Sequence, residues 1–571
     1  MITATGAQII TGILERQGVS TVAGIPGGSI LPLYDELARS SIRHILVRHE
    51  QAAGFIAQGM TRSTGKTAVC MATSGPGVMN LLTAVADARC DSIPMVVITG
   101  QVNRHLIGTD AFQETDTFGL SLPITKHSVM VKSAEELLTA LPRAFAIAAS
   151  GRPGPVLIDV PRDVQLEKIS FEEWPSVADR DAASAPAGDL LNKAAALIMK
   201  ARRPAFFCGG GVIASGAAPA LRKFAEKCDI PVAVSLLGIG VLPWDHPLYA
   251  GMVGMHGSFA ANSLLHDADL IIAAGVRFDD RAVGLIREFC PAAEIIHIDI
   301  DAAEINKIYP SAVPIISDAA RALEMLEPLC SARKHPCWLE TLEVKRSAAT
   351  AGYGDSPHHP SVLIPRIAAL AEQVQTEVHS GNSLQDTRVF VTTDVGQHQM
   401  WTAQLWPVSF PRQFITSGSL GTMGFGLPAA IGAALANPGR RVICFSGDGS
   451  IMMNVQELAT LAELELDVTV IVFDNACLGM VRQQQELLFG GTYSACIYSK
   501  TPNLVRIAEG FGIYSFDLDD YTRFDTVITK ALSGSGPRFV RIPIAQELNV
   551  YPFVPAGKAN IDASGVIFPG E

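Results

Sequence analysis

The chain has 571 residues, too many for one core and suited to about three domains. Hydrophobic residues make up 48% and charged residues 18%, a well-buried composition that excludes a disordered chain. The net charge of -12 argues against wrapping nucleic acid and against docking on an anionic membrane surface, which leaves small molecules as the expected partners.

The N-terminus, "MITATGAQIITGILERQGV", has no basic leader and enters a helical pattern at once, and no apolar run is long enough to span a bilayer. A cytoplasmic chain is expected. Ten cysteines occur without a CxxC pair, several of them (Cys70, Cys208, Cys444) inside apolar runs, which fits reduced thiols and not a zinc site or disulfide framework.

Over residues 1–180 short apolar runs alternate with helical patterns: "TVAGIP", "IRHILVR", "TAVCMATSGPG", "PMVVITG", "PVLIDVP". The alternation predicts a parallel sheet covered by helices on both faces, an α/β doubly wound domain. A second set over 190–345 follows the linker "DRDAASAPAGD" and includes "PAFFCGGG", "DLIIAAGVRFDDR" and "EIIHIDID". A third set over 360–550 follows "AGYGDSPHHP", with "RVFVTTDVG", "RRVICFSGDG", "VTVIVFDN" and "RFVRIPI". The first and third sets read as variations on one plan.

In an open parallel sheet, ligands bind beyond the carboxyl ends of the strands. Asp448, in "GDG", ends one predicted strand, and Asp474 and Asn475 end the next. Neighbouring strand tips would bring a carboxylate and an amide oxygen together, a donor set suited to Mg²⁺ holding a diphosphate. Taken singly, each residue is better explained as an ordinary turn residue; their occurrence on consecutive strands favours the clamp.

"GDG" at 447–449 followed by "DN" at 474–475 resembles the signature of thiamine diphosphate enzymes, with Asp474 in place of the first of two asparagines. The resemblance implies Asp448, Asn475 and the backbone carbonyl of Cys477 as Mg²⁺ ligands, and Gly447, Ser450, Gln397 and His398 as cofactor contacts. The extra carboxylate of Asp474 is tolerable beside a diphosphate only if it points away. "HEQAAGFIAQGMTR" and "TSGPGVMNLLTA" resemble the pyrimidine-binding domain of the same family and single out Glu50 and Gly75. A Glu in a first helical turn is ordinarily a partner for the helix dipole. In this family it is the carboxyl group beside the aminopyrimidine ring, where it promotes proton removal from the thiazolium.

Across all three regions the chain is most similar to the catalytic subunits of acetohydroxyacid synthase (acetolactate synthase), on "GIPGGSILPLYD", "IGTDAFQETD", "SGRPGPVLIDVP", "GMHG", "GVRFDDRAVG", "HIDID", "GSLGTMGFGLPAAIGA" and "LGMVRQQQ". The resemblance implies decarboxylation of pyruvate and transfer of the two-carbon unit to a second 2-keto acid. It also implies three α/β domains: pyrimidine-binding, central FAD-binding and diphosphate-binding. A homodimer with shared sites is implied, and family members often have a small regulatory subunit. FAD would be held by Arg152, His256, Arg277, Asp299 and Asp318, an Arg at a strand end suiting pyrophosphate and an Asp in "HIDID" suiting ribose or adenine. Arg281 would take the carboxylate of the second keto acid, unless it merely pairs with Asp279 or Asp280. Gln113 would reach toward the reacting centre, and Met423 would support the thiazolium. A flavin-dependent pyruvate oxidase, a cofactor-binding scaffold without activity and a flavin-free catabolic synthase are the alternatives.

Two departures stand out. Gln484 occupies a position where the family commonly has Trp, removing an apolar wall that favours 2-ketobutyrate as acceptor; a weak acceptor preference is expected. Asn103 stands where Pro is frequent, along the access channel.

Overall fold

The computed structural model describes residues 1–177, 185–348, 350–351, 356–379 and 388–567. Residues 179–184 of the first linker and 352–355 of the second lie outside them.

Three six-stranded sheets, each entirely parallel, form the framework. Their central strands are buried end to end, as in Met95–Gln101 and Val468–Asp474. Helices on both faces explain why such strands are continuous apolar runs and not alternating ones. In the first sheet the strands lie in the order Arg43–Leu46, Thr21–Gly24, Ala68–Ala72, Met95–Gln101, Pro155–Pro161, His127–Met130. In the third the order is Phe414–Ile415, Phe390–Thr393, Val442–Gly447, Val468–Asp474, Arg538–Pro543, Tyr514–Asp517. Numbered along the chain within each sheet, both read 2-1-3-4-6-5, so the two domains do share one plan.

The middle sheet is different. Tyr249–Met252, Val232–Val234, Pro204–Cys208, Leu270–Ala274, Glu294–Asp299 and Val313–Ile316 give the order 3-2-1-4-5-6, that of dinucleotide-binding sheets. The strand order reverses between Pro204–Cys208 and Leu270–Ala274, where Gly209 and Gly275 meet. A Cβ on Gly209 would lie 2.1 Å from the Gly275 carbonyl oxygen.

The first and third domains pack through two helices, Glu50–Thr64 and Gly426–Ala436. Their backbones touch: a Cβ on Gly59 would lie 2.1 Å from the Ala429 carbonyl oxygen, and one on Gly432 would lie 2.0 Å from that of Ile56. After Pro543 the chain returns across the middle domain. The Val554 amide donates to the Met255 carbonyl at 2.9 Å, and Asn560 Nδ2 donates to the Ala282 carbonyl at 2.8 Å. The expected end of the third domain at residue 550 thus precedes a stretch that packs on the second.

All ten cysteines are free, and among the described residues no helix is long and apolar enough to cross a membrane.

The helix contact makes a prediction. Gly432→Val forces two backbones apart and costs about 1–3 kcal/mol or more, read as a lower thermal midpoint. Gly510→Ala, where an added Cβ meets nothing within 4 Å, leaves the midpoint unchanged or higher.

Candidate active site

Strands Val442–Gly447 and Val468–Asp474 are adjacent, with Gly447 opposite Phe473, so their tips present Asp448 and Asn475 side by side. Asn475 Oδ1 lies 3.3 Å from Asp448 Oδ1 and 3.0 Å from the Cys477 carbonyl oxygen. Three acceptors facing one another repel unless something positive lies among them. Turning the Asn475 amide over would give two N–H donations, but it would point the carbonyl at Gln397 Oε1, which now accepts from Asn475 Nδ2 at 3.2 Å. Gln397 cannot readily turn in compensation, because its Nε2 is committed to Gln483 Oε1 at 2.9 Å and the Leu548 carbonyl at 2.7 Å. This orientation is therefore the consistent one, and it leaves oxygen acceptors facing one another in the manner of a cation site. Octahedral Mg²⁺, at about 2.1 Å from each ligand, holds adjacent oxygens about 3 Å apart. Among the described residues no three His, Cys, Asp or Glu side chains are grouped so as to hold a metal ion, so this cluster draws on amide and backbone oxygens, the hard donors that Mg²⁺ accepts.

Two more buried polar atoms nearby find no partner among the described residues: Asp448 Oδ2 and His398 Nε2. Burial and the neighbouring Asp474 push the Asp448 carboxyl up to about 7. Burial pushes the His398 imidazole down to about 3, leaving it neutral. Its ring lies against Gly447, where a Cβ would be 3.0 Å from Nδ1. Ser450 Oγ accepts from the Gly447 amide at 3.0 Å, fixing the turn that carries Asp448.

Asp474 is not left bare. Its Oδ2 pairs with Arg541 Nε at 2.5 Å, and Arg541 also reaches Asp517 at 2.7 Å and Asp519 at 3.0 Å. Sequence reasoning missed this arginine: it lies on the next strand of the sheet, far along the chain.

A cavity of about 1550 Å³ opens from these tips to the middle domain. That volume exceeds the usual range for one small ligand, about 300–1,000 Å³. Gln397, His398, Met423, Gly447, Asp448, Ser450, Asn475, Cys477 and Gln484 line one end; Arg152, His256, Arg277, Asp299, Asp318 and Arg281 line the other. Asp299 ends its strand, and burial pushes its carboxyl up to about 6. His256 is buried and pushed down to about 4, with Nδ1 3.1 Å from the Pro552 carbonyl oxygen. Asp318 caps helix Ala319–Leu326, accepting from the Ala320 and Arg321 amides at 2.9 and 3.2 Å. Arg277 follows the end of strand Leu270–Ala274, a strand-end position. Arg152 does not stand at a strand end: it precedes strand Pro155–Pro161 and is shared between Asp301 at 3.2 Å and Glu304 at 2.8 Å. Arg281 is exposed, and its link to Asp280 is a loose 3.6 Å, so the guanidinium is available to a ligand.

Glu50, Gly75 and Gln113 do not line this cavity. They cluster apart from it on the first domain. Glu50 is buried at the start of its helix and accepts from Asn80 Nδ2 at 2.9 Å; a Cβ on Gly77 would lie 3.4 Å from Glu50 Oε1. A Cβ on Gly75 would lie 2.9 Å from the Gln113 carbonyl oxygen, and Gln113 itself has a left-handed backbone, φ +60°.

Family models match in tandem: the thiamine pyrophosphate enzyme N-terminal TPP binding domain over residues 4–120, the central domain over 191–326 and the C-terminal TPP binding domain over 394–542. The chain is 49% identical to the acetolactate synthase isozyme 1 large subunit of Escherichia coli, over 98% of both chains. The chain belongs to the acetolactate synthase large-subunit family. Other relatives are the E. coli isozyme 2 large subunit, 43% identical over 97% of this chain and 98% of that one, and a probable acetolactate synthase large subunit of Methanocaldococcus jannaschii, 42% identical over 97% and 94%.

In this acetolactate synthase homologue Glu50 lies in the region that matches the N-terminal TPP binding domain and Asp448 in the region that matches the C-terminal one. Arg541 offsets the charge of Asp474 beside Asp448. Arg541→Met is accordingly expected to weaken thiamine diphosphate binding about tenfold, equivalent to about 1.4 kcal/mol, measured by fluorescence titration with Mg²⁺ present.

Proposed function

We infer that the chain is the catalytic subunit of an acetolactate synthase: it decarboxylates pyruvate and joins the two-carbon unit to a second 2-keto acid, in branched-chain amino-acid biosynthesis. The observation that carries this reading is its near-full-length relatedness to acetolactate synthase large subunits, which favours the synthase over a pyruvate oxidase. Bound thiamine diphosphate supplies the nucleophilic carbon and the electron sink, so no protein nucleophile is needed.

The chain's own residues take the remaining roles. Asp448, Asn475 and the Cys477 carbonyl would hold Mg²⁺, and the converging oxygens support that assignment. Gln397, His398, Gly447 and Ser450 would contact the diphosphate end, Gly75 the pyrimidine end, and Met423 the middle of the cofactor. Glu50, steadied by Asn80, offers its carboxyl to the aminopyrimidine ring nitrogen. Arg281 would bind the carboxylate of the acceptor keto acid as a bidentate pair, which orients its carbonyl. Gln113 would reach toward the reacting centre.

FAD is the proposed second cofactor, held by Arg152, His256, Arg277, Asp299 and Asp318. The strand order of the middle sheet, the backbone contact at Gly209 and Gly275 and the size of the cavity support it. A homodimer is proposed because Glu50, Gly75 and Gln113 lie outside the cavity of their own chain; a second copy would bring them to it. Relatives bear the name "large subunit", in keeping with a small regulatory partner, and the expected location is the cytoplasm.

The first test is a mixed-substrate assay with pyruvate and 2-ketobutyrate in the presence of thiamine diphosphate, Mg²⁺ and FAD. Both acetohydroxy acids should form at comparable rates. Acetate or acetyl phosphate with neither acetohydroxy acid would refute the reading. Gln484→Trp should shift the product ratio toward acetohydroxybutyrate by about tenfold, within the roughly 1–3 kcal/mol that one methylene contact is worth. Site sharing has its own test. Glu50→Gln and Asp448→Ala chains are each expected to be inactive as homodimers, yet mixed dimers should recover one intact site; no recovery in verified mixed dimers would mean that sites lie within single chains.

A further inference from the structure

A buried ion cluster ties the first domain to the cavity wall built by the third. Arg62, Asp87 and Asp91 are all buried. Arg62 Nη2 donates to Asp91 Oδ2 at 2.8 Å and to Asp87 Oδ2 at 3.3 Å, while Nη1 donates to the Thr416 carbonyl at 2.9 Å. Two carboxylates sharing one guanidinium carry an excess negative charge, so their other lone pairs need donors.

Those donors all come from one loop of the third domain. Asp91 accepts the successive amides of Gly418 at 2.8 Å and Ser419 at 2.7 Å. Asp87 Oδ1 accepts from the Ser417 hydroxyl at 2.5 Å and the Thr422 hydroxyl at 2.9 Å. The Thr422 amide then donates to Ser417 Oγ at 2.9 Å, closing the loop on itself. This segment lies between strand Phe414–Ile415 and helix Gly426–Ala436, without regular structure of its own. Its Met423 lines the cavity, and its Ser419 hydroxyl accepts from Arg277.

We propose that Asp87 and Asp91 are positioning residues for the synthase reaction: by fixing the 416–422 loop they set Met423 and Arg277 on the cavity wall. The proposal rests on the reading of Met423 and Arg277 as contacts for the thiamine cofactor and the flavin. Asp87 does not line the cavity, and Asp91, which does, has both carboxylate oxygens engaged by Arg62 and the loop amides, so each acts through the loop.

Asp91→Asn is the direct test, since a carboxamide has one acceptor oxygen for two loop amides. The holoenzyme is expected to lose turnover on the order of tenfold, by displacement of groups that touch the cofactor. Apoenzyme titrated with FAD, followed by flavin fluorescence, should bind it at least about threefold more weakly, because Arg277 loses its fixed partner. Ser417→Ala serves as the milder variant where Asp91→Asn folds poorly, with changes in the same direction. A double-mutant cycle separates positioning from general stability: in a Met423→Ala background the added turnover loss from either variant should shrink to within about twofold. Fully additive losses with Met423→Ala itself impaired, or unchanged turnover and flavin affinity in both variants, would overturn the proposal alone. Unchanged turnover in Met423→Ala would remove the underlying reading, and the proposal with it.

Discussion

The arrangement of the third domain depends on three oxygens that repel one another. Asp448 Oδ1 and the Cys477 carbonyl oxygen lie 3.3 and 3.0 Å from Asn475 Oδ1, a placement that is unfavourable until a cation joins them. Much of the surrounding structure can be read as what keeps them there. Gln397 fixes the Asn475 amide, and Ser450 fixes the turn below Asp448. Gly479 leaves the space that Gln397 and Asn475 fill, since a Cβ there would lie 2.1 Å from Gln397 Oε1. The folded chain thus holds an unsatisfied electrostatic demand, one that a cation at this point would meet.

Electrostatic balance also explains how Asp474 can stand at a strand tip beside Asp448. Its carboxylate would oppose a diphosphate, yet Arg541 meets it from the adjoining strand and ties it to Asp517 and Asp519. The arginine offsets part of that charge, although Asp474 still helps to push the Asp448 carboxyl up. A single substitution at this position is therefore not isolated: the arginine and two further carboxylates stand behind it.

Much of this was legible in the sequence, for identifiable reasons. Alternating apolar and helical runs announce parallel sheets because strands covered on both faces cannot be polar on either. Asp448 and Asn475 were readable because each ends an apolar run, and tips of neighbouring strands must meet. Strand order was not legible: alternation is the same for 2-1-3-4-6-5 and 3-2-1-4-5-6, and only packing decides. Partners brought together by folding stayed hidden too. Asn80 beside Glu50, Arg541 beside Asp474, and the loop amides that satisfy Asp91 have no local sequence signal, because each belongs to another element. Arg152 shows the limit of a local rationale: the residue lines the cavity from a turn before its strand, whereas the strand-end argument fits Arg277.

The helix pair at the domain junction has a meaning beyond its strength. Gly59 meets the residue three before Gly432, Ala429, and Gly432 meets the residue three before Gly59, Ile56. Each helix also joins the second and third strands of a sheet with the same strand order. The contact is unchanged when the two domains are exchanged, which is the hallmark of an isologous two-fold interface. The chain holds within itself the symmetry that a pair of identical single-domain subunits would show between them. Such an arrangement is what duplication and fusion of one gene would leave behind, the twin modules keeping their mutual grip while their strand tips diverged, one to present Glu50 and the other Asp448.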